Sequence, residues 1–266
     1  MMRVGAIDCG TNSIRLLIAD VDDGGLTDVV RLMRVVRLGQ GVDATGRLAE
    51  ESLQRTFAAA EEYGALLKEH GAESLRFVAT SATRDAENRQ DFVDGISQRL
   101  GVEPEVITGN EEAALSFAGA ASVLDRNRPE PVLVIDLGGG STEFVLGTGS
   151  GVTAAASVNV GCVRLTERHL HTDPPADAEI RAAVADVDAV IEDVLRDVPL
   201  DSVATVVGVA GTVTTVTAHA LGLDSYDRDA IHAAELPIDD VAAAAADLLR
   251  MPRQRRAELP YMHPGR

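Results

Sequence analysis

Val132–Leu146 reads V-L-V-I-D-L-G-G-G-S-T-E-F-V-L, and its interpretation decides the fold. Four apolar residues lead to Asp136, the chain turns through Gly138-Gly139-Gly140-Ser141-Thr142, and it returns as Glu143-Phe144-Val145-Leu146. Two β-prone runs joined by a Gly-rich turn predict a hairpin with a carboxylate at the tip of its first strand. Glycine admits positive φ and leaves backbone N–H groups bare, so such a tip can gather donors into a nest that suits phosphate. An ordinary structural hairpin has the same local pattern, and the choice between the two rests on the rest of the chain.

Near the N-terminus, Val4–Ile18 reads V-G-A-I-D-C-G-T-N-S-I-R-L-L-I and aligns with the first stretch without a gap. Asp8 falls on Asp136, Gly10 on Gly138, Ser13 on Ser141 and Leu16 on Phe144, all at one constant offset. Two copies of one hairpin imply an internal repeat, and the intervening sequence supports it. In the first half, Val29–Leu38 is β-rich, and Gly39, Gly41 and Gly46 make a turn-rich loop. Leu53, Phe57, Ala60, Gly64 and Leu67 then recur at helical spacing between Glu50 and His70, with Gly71 as C-cap. A strand at Leu75–Thr80, a helix start at Ser81–Ala86, a strand at Val102–Thr108 and a helix from Glu111-Glu112 to Leu124 follow. The second half repeats this order with a strand at Val152–Val160 and a helix carrying Ile180, Val184, Val187, Ile191 and Val194. Val203–Val209 runs into Ala210-Gly211-Thr212, and Asp239–Leu249 forms another helix.

The predicted fold is therefore α/β, built from two βββαβαβα domains at residues 1–126 and 127–266, with Asn127–Pro131 as the linker. The second copy reaches Arg266 before a strand and helix equivalent to Val102–Leu124, so the sequence predicts that the natural protein continues or that this chain is partial.

Composition narrows the function. Net charge is −18, which argues against nucleic acid and acidic membranes as partners. No apolar run is long enough to span a bilayer, and Met1-Met2-Arg3 leads straight into a strand without room for a signal peptide. Cys9 and Cys162 form no CxxC pair and lie in different halves, which fits reduced thiols in a cytoplasm. Lys68 is the only lysine and G-K-[ST] is absent, which excludes a Walker A loop. Gly39–Ala44 fits G-x-G-x-x-A but opens no helix in a βαβ unit, so it reads as a loop. The six histidines show no zinc spacing.

Together the motifs Ile7–Arg15 (I-D-C-G-T-N-S-I-R), Ala79–Ala86 (A-T-S-A-T-R-D-A), Thr108–Ala113 (T-G-N-E-E-A), Ile135–Glu143 (I-D-L-G-G-G-S-T-E), Asn159–Glu167 (N-V-G-C-V-R-L-T-E) and Gly208–Thr212 (G-V-A-G-T) resemble the exopolyphosphatase/guanosine pentaphosphate phosphatase family. The resemblance covers nearly the whole chain, in the family's order. It implies two actin-like (ribonuclease H-like) domains and a cytoplasmic, dimeric hydrolase that removes the terminal phosphate of inorganic polyphosphate, with short chains expected. The alternative is the pppGpp 5′-phosphohydrolase reaction; an actin-like ATPase or kinase, or a non-catalytic (p)ppGpp or polyphosphate sensor, are further alternatives.

Residue types agree with such chemistry. Gly10, Thr11, Asn12 and Ser13, and Gly138, Gly139, Gly140, Ser141 and Thr142, offer N–H and hydroxyl donors to phosphate, as do Gly211 and Thr212. Arg84 at a helix start suits phosphate oxygens, and Arg15 suits either phosphate or a salt bridge. Asp8, Asp136 and Glu143 are hard oxygen ligands for Mg²⁺ (or Mn²⁺), and three carboxylates meeting in space would need a cation. A monovalent cation such as K⁺ belongs to the same expectation. Glu111 and Glu112 are first-turn acids that favour the helix dipole in any case. The resemblance places the water-activating carboxylate here, and assigns it to Glu112, which precedes Ala113.

Overall fold

The computed structural model describes residues 2–23, 25–125 and 127–263 and has an α/β fold with two mixed sheets. The chain forms two compact units, Met1–Thr108 and Gly109–Arg266.

The first unit runs β1 (Met2–Cys9), β2 (Ser13–Asp22), β3 (Gly25–Val35), α1 (Val42–Thr45), α2 (Glu50–Glu69), β4 (Ser74–Ala79), α3 (Ser81–Asp85), α4 (Arg89–Leu100) and β5 (Glu105–Val106). Its sheet order is β3-β2-β1-β4-β5. The first three strands form an antiparallel meander, and β4 and β5 add in parallel. Side-chain alternation along β1 and β2 turns Ile7, Cys9, Ile14, Leu16 and Ile18 to one face. There they join Leu53, Phe57, Ala60, Tyr63 and Leu67 of α2 in one core. Each large apolar side chain buried here contributes roughly 1.5–3 kcal/mol. A Cβ on Gly5 would stand 2.2 Å from Leu67 Cδ2, so the tip of this α2 leucine occupies the space a side chain there would take. The Tyr63 hydroxyl is satisfied by the Ile14 carbonyl at 3.0 Å.

Three boundaries differ from the sequence expectation. The strand expected at Val29–Leu38 stops at Val35, because Arg37 takes a left-handed φ of 51°. The strand expected over Val102–Thr108 shrinks to Glu105–Val106, where Pro104 has no N–H for the ladder. The helix starting at Ser81 breaks at Ala86, which is extended at φ −84°, ψ 131°, and resumes as α4.

The second unit runs α5 (Gly109–Ala121), β6 (Val132–Leu137), β7 (Thr142–Thr148), β8 (Gly151–Val158), α6 (Cys162–His169), α7 (Asp177–Asp197), a 3₁₀ turn at Leu200–Ser202, β9 (Thr205–Val209), α8 (Ala210–Ala220), α9 (Arg228–Ile231), α10 (Ile238–Arg250) and α11 (Arg253–Ala257). Its sheet order is β8-β7-β6-β9, with β9 parallel to β6. Alternation sorts the two faces. Val132, Val134 and Val145 meet Ala113, Phe117 and Ala120 of α5 on one side. Leu133, Leu146, Ile135 and Phe144 meet Val194 and Val198 on the other. The helix α5 thus packs on the second sheet, and the second unit begins at Gly109 rather than at the linker after residue 126. Among the described residues no helix is long and apolar enough to cross a membrane.

Candidate active site

The turn between β6 and β7 is closed by the Gly138 N–H donating to the Ser141 carbonyl at 3.1 Å. Its carbonyls are drawn toward the start of α6. Cys162 N–H donates to Gly138 O at 3.0 Å, and Val163 and Arg164 N–H donate to Gly139 O at 2.9 and 3.2 Å. Arg164 Nε donates to Gly140 O at 2.9 Å. In a trans peptide the N–H points opposite to the C=O. The N–H groups of Gly139, Gly140 and Ser141 therefore point away from α6, as an anion nest requires. The Thr142 hydroxyl is committed to the Val160 carbonyl at 2.6 Å, so it braces the turn from within.

The turn between β1 and β2 has the same construction. Gly10 N–H donates to Ser13 O at 3.0 Å, Thr11 O accepts from Gly39 N–H at 2.8 Å, and Asn12 O accepts from Val36 and Arg37 at 3.0 and 2.9 Å. The buried Thr11 hydroxyl shares a 2.9 Å hydrogen bond with Ser81 at the head of α3. Arg84 lies in that helix, half-buried, with Nη1 donating to Ile107 O at 2.9 Å. Asp8 and Arg15 are register partners across β1 and β2 and form a 3.2 Å ion pair between two well-exposed side chains. Arg15 thus makes a salt bridge within its own hairpin. Burial first, and then the Asp8 charge, push the Cys9 thiol well above its ordinary range, which makes it inert.

In the second unit the position equivalent to Arg15 is an acid. Asp136 and Glu143 are direct cross-strand partners, and Glu143 is in turn the partner of Ser157 on β8. All three share the parity of Val134, Val145 and Ala155, so they form a row on the face covered by α5. Glu143 is 1% exposed and accepts from the Ser157 hydroxyl at 2.8 Å. Asp136 accepts a hydrogen bond from Ser116 on α5. Glu112 lies one turn before Ser116, on the same side of that helix, and is half-buried, whereas Glu111 is exposed. The next strand over pairs Val209 with Asp136, and α8 begins immediately afterwards at Ala210. Ala210 takes a left-handed φ of 74° and turns the chain sharply into Gly211 and Thr212. For a residue with a Cβ that conformation costs roughly 1–2 kcal/mol.

The second unit thus assembles Glu112, Asp136, Glu143, the Gly138–Thr142 turn and the Gly211–Thr212 helix start around the ends of β6 and β9. Asp8, Arg15, Arg84 and the Gly10–Ser13 turn belong to the first unit. Among the described residues no group of three or more His, Cys, Asp or Glu side chains is placed to hold a metal; within the second unit Asp136 and Glu143 are cross-strand partners. Ser116 and Ser157 were not legible as site residues. The only sequence signals were the helical spacing from Glu112 and the even spacing of Ser157 from Ala155.

A model of the Ppx/GppA phosphatase family matches residues 17–266. The chain belongs to the Ppx/GppA phosphatase family. It is 51% identical to Exopolyphosphatase 2 of Mycobacterium tuberculosis, over 100% of this chain and 86% of that protein. The crystal structure of an exopolyphosphatase-like protein superposes with a TM-score of 0.97 at 52% identity, covering 100% of this chain and 83% of that one. The Ppx/GppA family member of Aquifex aeolicus superposes with a TM-score of 0.76 at 33% identity, covering 97% and 82%. As a Ppx/GppA phosphatase the chain is an enzyme, and the acidic row beneath α5, with the N–H-lined Gly138–Thr142 turn of the same unit, has the groups that cleavage of a phosphoric anhydride needs: a carboxylate, anion donors and hard oxygen ligands.

Proposed function

We propose that this chain is an exopolyphosphatase that hydrolyses the terminal phosphate of inorganic polyphosphate, with Glu112 as the general base. The observation that carries the reading is the placement of Glu112 on the same helix face as Ser116, which holds Asp136 beside Glu143. The names of the relatives in M. tuberculosis and among solved structures support the choice of substrate over pppGpp. Glu112 would accept a proton from water as the water oxygen bonds to the terminal phosphorus. The P–O bond to the next phosphate opens in line, and the shortened chain departs on that oxygen. The N–H groups of Gly139, Gly140 and Ser141 and the start of α8 at Gly211 and Thr212 hold phosphate oxygens. In the first unit, the Gly10–Ser13 turn and Arg84 offer donors of the same kind.

A divalent cation fits the acidic pair. Two carboxylates stand directly opposite each other and one is removed from water, an arrangement that is costly without a countercharge. Mg²⁺ is commonly held by one or two carboxylates together with substrate phosphates, and Mn²⁺ has similar ligand preferences. Asp136 and Glu143 would hold it, and it would offset charge on the transferring phosphoryl group.

We also infer that the two units are copies of one actin-like ancestor. The strand orders β3-β2-β1-β4 and β8-β7-β6-β9 correspond, and the hydrogen bond that closes the turn from Gly10 to Ser13 recurs from Gly138 to Ser141. Phosphate release from polyphosphates of several lengths, pppGpp and ATP, measured side by side with Mg²⁺, tests the function. Polyphosphate should be turned over preferentially; turnover of pppGpp or ATP alone would refute the assignment.

A further inference from the structure

Glu112 and the acidic pair sit on different elements, and two hydroxyls connect them. Ser116 of α5 donates to Asp136 Oδ2 on β6. Ser157 of β8 donates to Glu143 Oε1 at 2.8 Å on β7. Ser157 also supports α5 sterically. A Cβ on Gly109, the first residue of that helix, would lie 2.4 Å from Ser157 Oγ and 2.5 Å from its Cβ. The start of α5 therefore rests on the same serine that holds Glu143, and its second turn is tied to Asp136. Between these two points lies Glu112.

We propose that Ser116 and Ser157 are positioning residues that fix both carboxylates for a divalent cation and set the height of Glu112 above them. The inference deepens the exopolyphosphatase reading and rests on its assignment of Asp136 and Glu143 to the metal. The chemistry is that of hydrogen-bond partners behind metal ligands: a carboxylate with one oxygen held by a hydroxyl loses its freedom to rotate and presents the other in a fixed direction. Loss of such a partner commonly lowers metal affinity about 10–100-fold. Gly109 has a separate part in the arrangement. It needs no positive φ, so its lack of a side chain serves the approach to Ser157 alone.

The experiment measures Mg²⁺ binding to the purified full chain by calorimetry without substrate, together with kcat and KM for polyphosphate at saturating Mg²⁺. The variants are Ser116→Ala, Ser157→Ala, Ser157→Gly, Ser116→Thr, Gly109→Ala, Gly109→Ala/Ser157→Gly and Asp136→Asn, with thermal unfolding to confirm folding. Each serine-to-alanine variant should bind Mg²⁺ about 10–100-fold more weakly and lower kcat more than it raises KM. Ser116→Thr, which keeps the hydroxyl, should restore most of the affinity. Gly109→Ala should lower kcat about 10-fold or more, and the double variant should be no worse than Ser157→Gly alone, because the clash and its partner vanish together. Wild-type Mg²⁺ affinity in both serine-to-alanine variants overturns the inference. If Asp136→Asn loses Mg²⁺ in that case, the metal reading stands without it; if Asp136→Asn also binds normally, both fall.

Discussion

Gly161→Ala separates the phosphate turn from everything else in the second unit. Gly161 precedes α6 with φ −159° and ψ 167°, an extended conformation open to any residue, so alanine brings no backbone strain. The obstacle is space. An added Cβ would lie 2.5 Å from the carbonyl carbon and oxygen of Gly139 and 2.7 Å from the nitrogen of Gly140. These are backbone atoms of the turn itself, and relief to an ordinary contact of about 3.5 Å requires a shift of about 1 Å. The hydrogen bonds from Cys162, Val163 and Arg164 to Gly138, Gly139 and Gly140, now 2.9–3.2 Å, would stretch beyond useful range. Each contributes about 0.5–1.5 kcal/mol, and overpacking alone costs about 1–3 kcal/mol, so a net loss of about 2–4 kcal/mol is expected after partial relaxation. At roughly 2–4 °C per kcal/mol, the Tm should fall by about 5–15 °C. The surviving folded enzyme should show a KM for polyphosphate raised about 10-fold, because the N–H groups of Gly139, Gly140 and Ser141 no longer converge. Gly149→Ala is the control, since its nearest neighbour is the movable Glu130 carboxylate tip at 3.4 Å. Differential scanning fluorimetry and steady-state phosphate release read both effects. A Gly161→Ala protein with wild-type Tm and KM would refute the idea that the turn is held by this close approach.

Glu112→Gln should lower kcat about 10²–10⁴-fold with polyphosphate binding retained, whereas exposed Glu111→Gln should stay within a few-fold; the reverse pattern in phosphate release would move the base to Glu111. Tyr63→Phe removes the hydrogen bond to Ile14 O and should cost about 1–2 kcal/mol in chemical denaturation. Burial pushes the Tyr63 phenol up to about 12 from an ordinary 10, so its contribution is complete below pH 10 and is lost as pH rises through 12. The steepening of alkaline unfolding between those values should therefore shrink in Tyr63→Phe. The Thr172 hydroxyl, followed by the Ala176, His171 and Thr172 N–H groups, holds the Glu179 carboxyl down to about 2 from 4.5. The ordering of the segment ahead of α7 is present above pH 4.5 and lost as pH falls through about 2. The amide resonances of His171, Thr172 and Ala176 should titrate together with that midpoint, and Glu179→Gln should abolish the titration.

The parts legible in the sequence were those governed by local rules, and the parts hidden from it depended on pairing at a distance. The hairpins at Asp8 and Asp136 were readable because a Gly-rich turn between alternating apolar residues has few other solutions. The helices of Glu50–Glu69 and Asp177–Asp197 were readable because their apolar positions repeat at helical spacing. The side of the boundary to which α5 belongs was not readable. Ala113, Phe117 and Ala120 declare an apolar face but not the sheet beneath it, while Asn127–Pro131 looked more like a joint than Thr108-Gly109. Nor was α6 expected, since a helix of only eight residues, Cys162–His169, with no fully buried side chain leaves little apolar pattern. The site divides in the same way. Asp136 and Glu143 could be named from residue type, and their opposition follows from hairpin register. Ser116 and Ser157 come from elements 20 and 14 residues away from the acids they hold, and serine at an exposed-looking position carries no signal of its own. The likeness of the two hairpin sequences that pointed to the fold also obscured the site. It presented Asp8 and Asp136 as equals, yet Arg15 faces the first acid and Glu143 the second. The two hairpins thus carry opposite charge at one register position: the acid of the first is paired with an arginine of its own hairpin, and the acid of the second faces another acid.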